Sequence, residues 1–303
     1  DLDPRALIKD PKVLQNLAEW QKLKFGFMVH WGPYSQWGGA ESWTICGEPG
    51  KDFGRNTSPQ WQYAGENLDT YRKMYWDLNK TFNPTGFDAS AWARLAKIAG
   101  MKYFVFTTMH HDGFNMFDSK SSDYKITAKD CPYHTAENPD ITKELFNAFR
   151  SQGFKIGAYY SKPDWHNENF WIKDRPYSSR NANYDVTAEP EIWERFVRHS
   201  HNQIDQLMSD YGAIDILWLD GGWVNPENRK QDIRMAEIAA NARKKQPGLI
   251  VVDRTIHGEF ENYITPEQTI PKQALDYPWE TCMTMGGKWS YRAGEVFKPT
   301  REC

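Results

Sequence analysis

The sequence predicts an α/β chain folded as a (β/α)8-like (TIM) barrel, irregular toward its C-terminal end. Three observations point there. Short, nearly continuous apolar runs recur along the chain, amphipathic stretches separate them, and each run ends in polar or aromatic functional side chains. The runs are 25-FGFMVHWG-32, 103-YFVFTTMHH-111, 154-FKIGAYYS-161, 214-IDILWLDG-221 and 249-LIVVDRT-255. All are rich in β-branched and aromatic residues, as a parallel strand buried on both faces requires. Segment 88-DASAWARLAKIAG-100 reads as a helix, with an Asp cap, apolar Trp92, Leu95, Ile98 and Ala99, and a glycine stop. Segment 140-DITKELFNAFRSQG-153 repeats the design with Ile141, Leu145, Phe146 and Phe149, and stretches 190–211 and 229–246 are longer amphipathic candidates. This alternation predicts a parallel sheet, which either a barrel or a doubly wound sheet satisfies.

The run ends decide between the two. They carry His30, the pair His110 and His111, Tyr159 with Tyr160, Asp220 and Arg254. A barrel brings the carboxyl ends of all its strands to one site, whereas an open sheet does so only beside its switch point. No GxGxxG or phosphate loop follows the first run, which also weighs against a nucleotide-binding sheet. Closure is the feature that resists. The fifth run ends at residue 255, leaving 48 of the 303 residues, where three more βα units of roughly 25–30 residues each would be needed.

The totals narrow the partners. A formal net charge of −3 without long like-charge runs makes nucleic acid and anionic membrane poor ones. No run of 18 apolar residues exists, so no membrane span is expected. Cys46, Cys131, Cys282 and Cys303 show neither CxxC nor metal spacing and read as scattered free thiols. The chain begins at Asp1, which suggests a processed N-terminus and a secreted, periplasmic or lysosomal location. Aromatic residues make up 15%, which suits a packed core and equally a site where pyranose rings stack on flat side chains.

Several residues carry chemistry. Asp220 ends an apolar run and precedes Gly221-Gly222-Trp223, and a carboxylate there serves as nucleophile, general base or metal ligand, or simply caps a turn. His110 and His111 suit a metal or ligand hydroxyls, but no HxH or HExxH spacing accompanies them. Trp43, Trp218 and Trp289 are candidate stacking walls, although core packing claims most tryptophans in a chain with 14 of them. Two-carboxylate glycoside hydrolysis needs a second acid. Glu259, Glu261 and Glu267 lie in a polar stretch, whereas Glu280 sits between Trp279 and Thr281 in an apolar, sulfur-rich one, where desolvation raises a carboxyl pKa as a general acid requires.

The motifs 25-FGFMVHWGPYS-35, 102-KYFVFTTMHHDGFNMFDSKSSDY-124, 157-GAYYSKPDWH-166, 216-ILWLDGGW-223 and 279-WETCMTMGGKWSY-291 together resemble the α-L-fucosidases of glycoside hydrolase family 29. The resemblance runs in order from about residue 20 to residue 300. It implies a (β/α)8-like catalytic barrel over residues 1–303, with the C-terminal β-sandwich of relatives absent from this chain. It implies a retaining double displacement on fucosylated oligosaccharides or glycoconjugates, with no cofactor and no metal. By resemblance Asp220 is the nucleophile and Glu280 the acid/base, with Glu261 and Glu267 as competitors. Substrate-binding residues carried over in the same way are His30, His110, His111, Tyr159, Trp218 and Arg254, with Glu41 and Trp43 from 41-ESW-43, where relatives read GEW. Trp218 and Met28 would face the C5 methyl of the sugar. Two other readings compete: a non-catalytic sugar-binding barrel and a metal-dependent hydrolase built on the histidine cluster.

Overall fold

The computed structural model describes residues 3–177 and 179–298. Five parallel strands form one sheet in sequential order: β1 (Gly26–Val29), β2 (Tyr103–Met109), β3 (Lys155–Ser161), β4 (Ile216–Asp220) and β5 (Ile250–Asp253). Each falls inside one of the apolar runs. The registers Gly26↔Tyr103, Tyr103↔Lys155, Gly157↔Ile216 and Ile216↔Ile250 keep the strand starts nearly level. Among the described residues seven α-helices accompany them: α1 (Pro11–Leu23), α2 (Pro59–Tyr63), α3 (Leu68–Trp76), α4 (Ala89–Ile98), α5 (Ile141–Ser151), α6 (Pro190–Asp210) and α7 (Met235–Lys245). Helices α4 to α7 are the four that the sequence pattern predicts. Among the described residues no helix is long and apolar enough to cross a membrane.

Side-chain alternation splits the core into two layers, as period-2 strands must. Tyr103, Val105, Tyr159, Ile216, Trp218, Ile250 and Val252 point into the barrel, while Phe104, Phe106, Ile156, Ala158, Leu217 and Val251 pack outward against the helices. Strands β2 to β5 are therefore buried on both faces, but β1 is only half-buried along its length. On α5 the predicted face is the buried one, with Ile141, Leu145, Phe146 and Phe149 all inside. On α4 it is not. Ala89, Ala93 and Ala96 face inward, and Leu95 and Ile98 are exposed. Small alanines and the partly buried Trp92 make the contact face there, so Leu95 and Ile98 fall outside.

Two further elements pack against the inner layer and the open side of the sheet. Helix α1, capped by Asp10 and started by Pro11, sends Val13, Leu17 and Trp20 into the inner layer. Trp20 stacks on Tyr263 with ring centroids 4.0 Å apart, and Asn16 Nδ2 donates to the Gly248 carbonyl, so α1 closes the end where the strands begin. On the open side, the stretch after β5 passes from β5 toward β1. It makes only single bridges, Val252↔Glu261, Ile264↔Trp279 and Glu267↔Cys282. Ser290 then ties it to the segment after β1, its amide donating to Glu41 Oε1 at 2.8 Å and its hydroxyl to the Gly39 carbonyl. Among the described residues this irregular strap occupies the open side of the sheet, between β5 and the segment after β1.

Candidate active site

Inward-pointing residues from the ends of all five runs line one cavity of about 400 Å³. It is lined by Met28 and His30 of the first run, Glu41 and Trp43 after it, His110, Tyr159, Trp218, Asp220, Arg254, and Trp289 of the strap. Its volume falls in the range of small-molecule sites, roughly 300–1,000 Å³. His111 adjoins this lining, its ring 5.1 Å from both Trp43 and Trp223 and its Nε2 3.8 Å from Oδ2 of the lining residue Asp220. The structure therefore gathers twelve sequence-selected residues around one space: the eight binding candidates, Asp220, Met28, Trp289 and Glu267.

Asp220 is held by three donors. Tyr159 Oη donates to Oδ2 at 2.7 Å, the Gly221 amide to Oδ1 at 2.8 Å, and Arg254 Nη1 to Oδ1 at 3.2 Å. Burial disfavours its charge, but Arg254 and these hydrogen bonds outweigh burial and hold the carboxyl well below the usual carboxylate range. The glycine corner has a steric basis. Gly221 sits at φ +91°, and a Cβ there would lie 2.3 Å from Pro163 Cδ. At Gly222 a Cβ would meet Thr255 Oγ1 at 2.1 Å and the Arg254 carbonyl at 2.8 Å. The second glycine thus keeps the segment carrying Arg254 close to Asp220.

The imidazoles are neutral at physiological pH. Burial, reinforced by His110, lowers His30 to about 3; burial also lowers His111 to about 4 and His110 well below its ordinary value. His30 Nδ1 is buried without a hydrogen-bond partner among the described residues. Trp218 stacks on Tyr159 at 5.3 Å and lies under the Arg254 guanidinium at 5.5 Å. Ligand atoms of His110, His111 and Asp220 all lie within 4.8 Å of one another, a donor set that a cation could use.

The glutamates separate clearly. Glu280 does not line the cavity. It is buried behind the wall, where Tyr103 Oη donates at 2.7 Å, Trp218 Nε1 at 3.2 Å, Tyr263 Oη at 3.4 Å and Cys282 Sγ at 3.4 Å. Burial pushes its carboxyl up, as the apolar surroundings suggest. Its carboxyl faces Tyr103, Trp218, Tyr263 and Cys282 instead of the cavity, a placement at odds with the acid/base role expected from its local sequence. Glu261 is also sequestered, accepting from the Thr255 and His257 amides in the turn after β5. Glu267 lines the cavity with a side chain 41% exposed; it pairs with Arg254 Nη2 and accepts from Trp289 Nε1 at 3.1 Å. Glu41 lines the cavity deep inside, and burial pushes it up to about 7.

Sequence reasoning missed Arg180, Trp223 and Thr255. Arg180 comes from the long loop after β3 and lies over the rings of Trp43 and Trp223, 4.8 and 5.0 Å from their centroids. No local pattern marks a loop arginine that reaches a site only through tertiary contacts. Cys46, Cys131 and Cys282 are free and buried, and Cys303 lies outside the described residues.

A parallel barrel whose mouth holds an ionised carboxylate, neutral imidazoles, tryptophans and further carboxylates has the layout of a glycoside hydrolase domain. Comparison with known proteins agrees. The family model described as Alpha-L-fucosidase matches residues 8–303. The tissue α-L-fucosidase of Bos taurus is 26% identical over 91% of this chain and 55% of its own length. The human plasma α-L-fucosidase is also 26% identical, over 92% of this chain and 56% of its own. The chain thus spans about half the length of these curated relatives. Among solved structures, α-L-fucosidase isoenzyme 1 of Paenibacillus thiaminolyticus superposes with a TM-score of 0.71 at 27% identity, covering 95% of this chain and 65% of that one. AlfC from Lactobacillus casei, solved with α-L-fucose product, gives a TM-score of 0.68 at 26% identity over 95% and 85%. The chain belongs to the α-L-fucosidase family.

Proposed function

We propose that residues 1–303 form the catalytic barrel of a retaining exo-α-L-fucosidase acting on fucosylated oligosaccharides or glycoconjugates without a cofactor. The observation that carries this reading is Asp220, buried yet held ionised at the wall of a monosaccharide-sized cavity. Relatives named α-L-fucosidases, one of them solved with α-L-fucose, supply the sugar. Met28 and Trp218 offer apolar contact to the C5 methyl, worth about 1–3 kcal/mol against a sugar lacking that fit. His30, His110, His111 and Arg254 supply hydroxyl contacts, and Trp43 a stacking wall.

In this reading an Asp220 oxygen attacks the anomeric carbon, the glycosidic C–O bond breaks, and the departing oxygen takes a proton from an acid. Water then attacks the fucosyl ester and gives its proton to that same group, releasing Asp220. We assign the acid/base to Glu267. In an exo-enzyme the sugar fills the cavity and the leaving group faces solvent, and Glu267 is the lining carboxylate that is both exposed and joined to Asp220 through one guanidinium. Geometry ranks ahead of pKa in such a choice. Glu41, deeper and pushed up to about 7 by burial, suits a sugar hydroxyl.

Azide tests these roles. Asp220→Gly should lose hydrolysis of an aryl α-L-fucoside and with azide give the inverted β-fucosyl azide. Glu267→Ala should give the retained α-azide, and Glu41→Ala no azide product. Full hydrolysis by Asp220→Gly contradicts the reading; rescue at Glu41 instead of Glu267 moves the acid/base there. The clustered His110, His111 and Asp220 donors favour a second reading, metal-assisted hydrolysis. Activity abolished by EDTA and restored by a divalent cation would establish it. A location along the secretory route agrees with the relative named plasma α-L-fucosidase, and fractionation of the native producer checks it.

A further inference from the structure

Two serines behind the cavity touch the paired histidines, and their other partners fix where the protons lie. Ser161, at the end of β3, donates its one hydroxyl proton to the Pro163 carbonyl at 2.5 Å. Its oxygen lies 2.7 Å from His111 Nδ1. Since the proton is already committed, the oxygen must accept, and His111 Nδ1 must carry a hydrogen. Ser42, in the turn after β1, has the reverse arrangement. Its oxygen accepts the Asp112 amide at 3.1 Å and lies 2.5 Å from His110 Nδ1. Both serines are fully buried, and among the described residues Ser42 has no other acceptor for its proton. The proton therefore goes to His110 Nδ1, which must be bare.

We propose that Ser161 and Ser42 are positioning residues that hold adjacent His111 and His110 in opposite neutral tautomers. His111 then offers the bare Nε2 as an acceptor beside Asp220, and His110 offers Nε2–H as a donor. The geometry explains why two like residues stand side by side. One accepts from a ligand O–H and the other donates to a ligand oxygen, so together they read a hydroxyl pattern instead of merely filling space. A hydrogen-donating ligand hydroxyl facing His111 also separates Nε2 from the Asp220 carboxylate, two acceptors that otherwise face each other at 3.8 Å. Burial of both rings supports the neutral forms. The consequence for turnover rests on the fucosidase reading; the tautomers do not.

Long-range proton–nitrogen-15 correlation spectra of the ligand-free protein near pH 7 test this directly, because a ring nitrogen bearing a proton is resolved from a bare one. Signals are assigned by their loss in His110→Asn and His111→Asn. The expected result is Nδ1–H with bare Nε2 for His111, and bare Nδ1 with Nε2–H for His110. Ser161→Ala should shift His111 toward Nε2–H while leaving His110 unchanged. Both rings in the same tautomer, or a doubly protonated His111, overturns the proposal. In kinetics Ser161→Ala should lower kcat/KM for an aryl α-L-fucoside about tenfold, as one reversed hydrogen bond implies. A monodeoxyfluoro fucoside whose fluorine faces His111 should lose no further activity in that variant. A protein that turns over no fucoside yet shows the opposed tautomers refutes the fucosidase reading alone.

Discussion

Replacing Arg254 by Met removes the full positive charge that pairs with Asp220. Nη1 stands 3.2 Å from Asp220 Oδ1, and both side chains are mostly buried, 16% and 13% exposed. At an effective dielectric near 20, unit charges about 4 Å apart interact by about 4 kcal/mol, which corresponds to about three pH units. The Tyr159 and Gly221 donors remain, but burial, the largest influence on Asp220, then acts against a weaker opposition. The sign follows. Losing a positive neighbour disfavours the carboxylate, the pKa rises, and activity is lost as pH falls through the raised value. The assay is kcat/KM for an aryl α-L-fucoside against pH, which reports the free enzyme. The acid limb should move into view above about pH 4 by roughly three units in Arg254→Met, and Arg254→Lys should return most of the shift. A uniform fall in kcat/KM with an unmoved acid limb refutes the claim that Arg254 keeps Asp220 ionised.

Other perturbations follow from the same structure. Glu280→Gln should leave kcat/KM within about tenfold of the parent, whereas Glu267→Gln should cost about a hundredfold or more, since one carboxyl is behind the wall and the other in the cavity. Glu280→Ala strands the Tyr103 hydroxyl and Trp218 indole, and denaturant unfolding should show a loss of about 2–4 kcal/mol. Lys162 and Asp253 form a buried pair at 2.6 Å behind the site, so Lys162→Met should cost about 3–5 kcal/mol and lower Tm by about 10 °C. Glu41 titrates near 7 when folded, above its ordinary 4.5, so the unfolded chain releases that proton first and stability falls as pH rises from about 4.5 to 7. Thermal melts of Glu41→Gln should lack about 3 kcal/mol of that fall.

Much of the fold is legible in the sequence because parallel strands are continuous apolar runs, and each predicted run contains one observed strand. The inward parity of His30, Tyr159, Trp218, Asp220 and Arg254 follows from where the runs end. Elements before residue 88 are less visible. Helix α1 carries its signal openly, with Asp10, Pro11 and the stripe Val13, Leu17 and Trp20, but lies outside the βα alternation that organises the reading. The segment 33–87 is mostly short turns and helices ordered by ring contacts such as Trp37 on Tyr71 and Tyr75, which have no periodic signature. The acid/base shows the limit most plainly. Apolar neighbours of Glu280 signal burial correctly, yet burial and access to substrate are different properties. Only the strap's bridges, Ile264↔Trp279 and Glu267↔Cys282, decide which glutamate enters the cavity.

In the proposed mechanism Asp220 becomes covalently bound to the sugar. Incubating the protein with 2-deoxy-2-fluoro-α-L-fucosyl fluoride, then digesting it and sequencing the peptides by mass spectrometry, tests this in one step. The prediction is one deoxyfluorofucosyl group per chain, in the peptide containing 216-ILWLDGGW-223 and attached at Asp220, with activity lost in proportion to labelling. Labelling at any other carboxylate, or continued turnover of an aryl fucoside with no adduct formed, would contradict it.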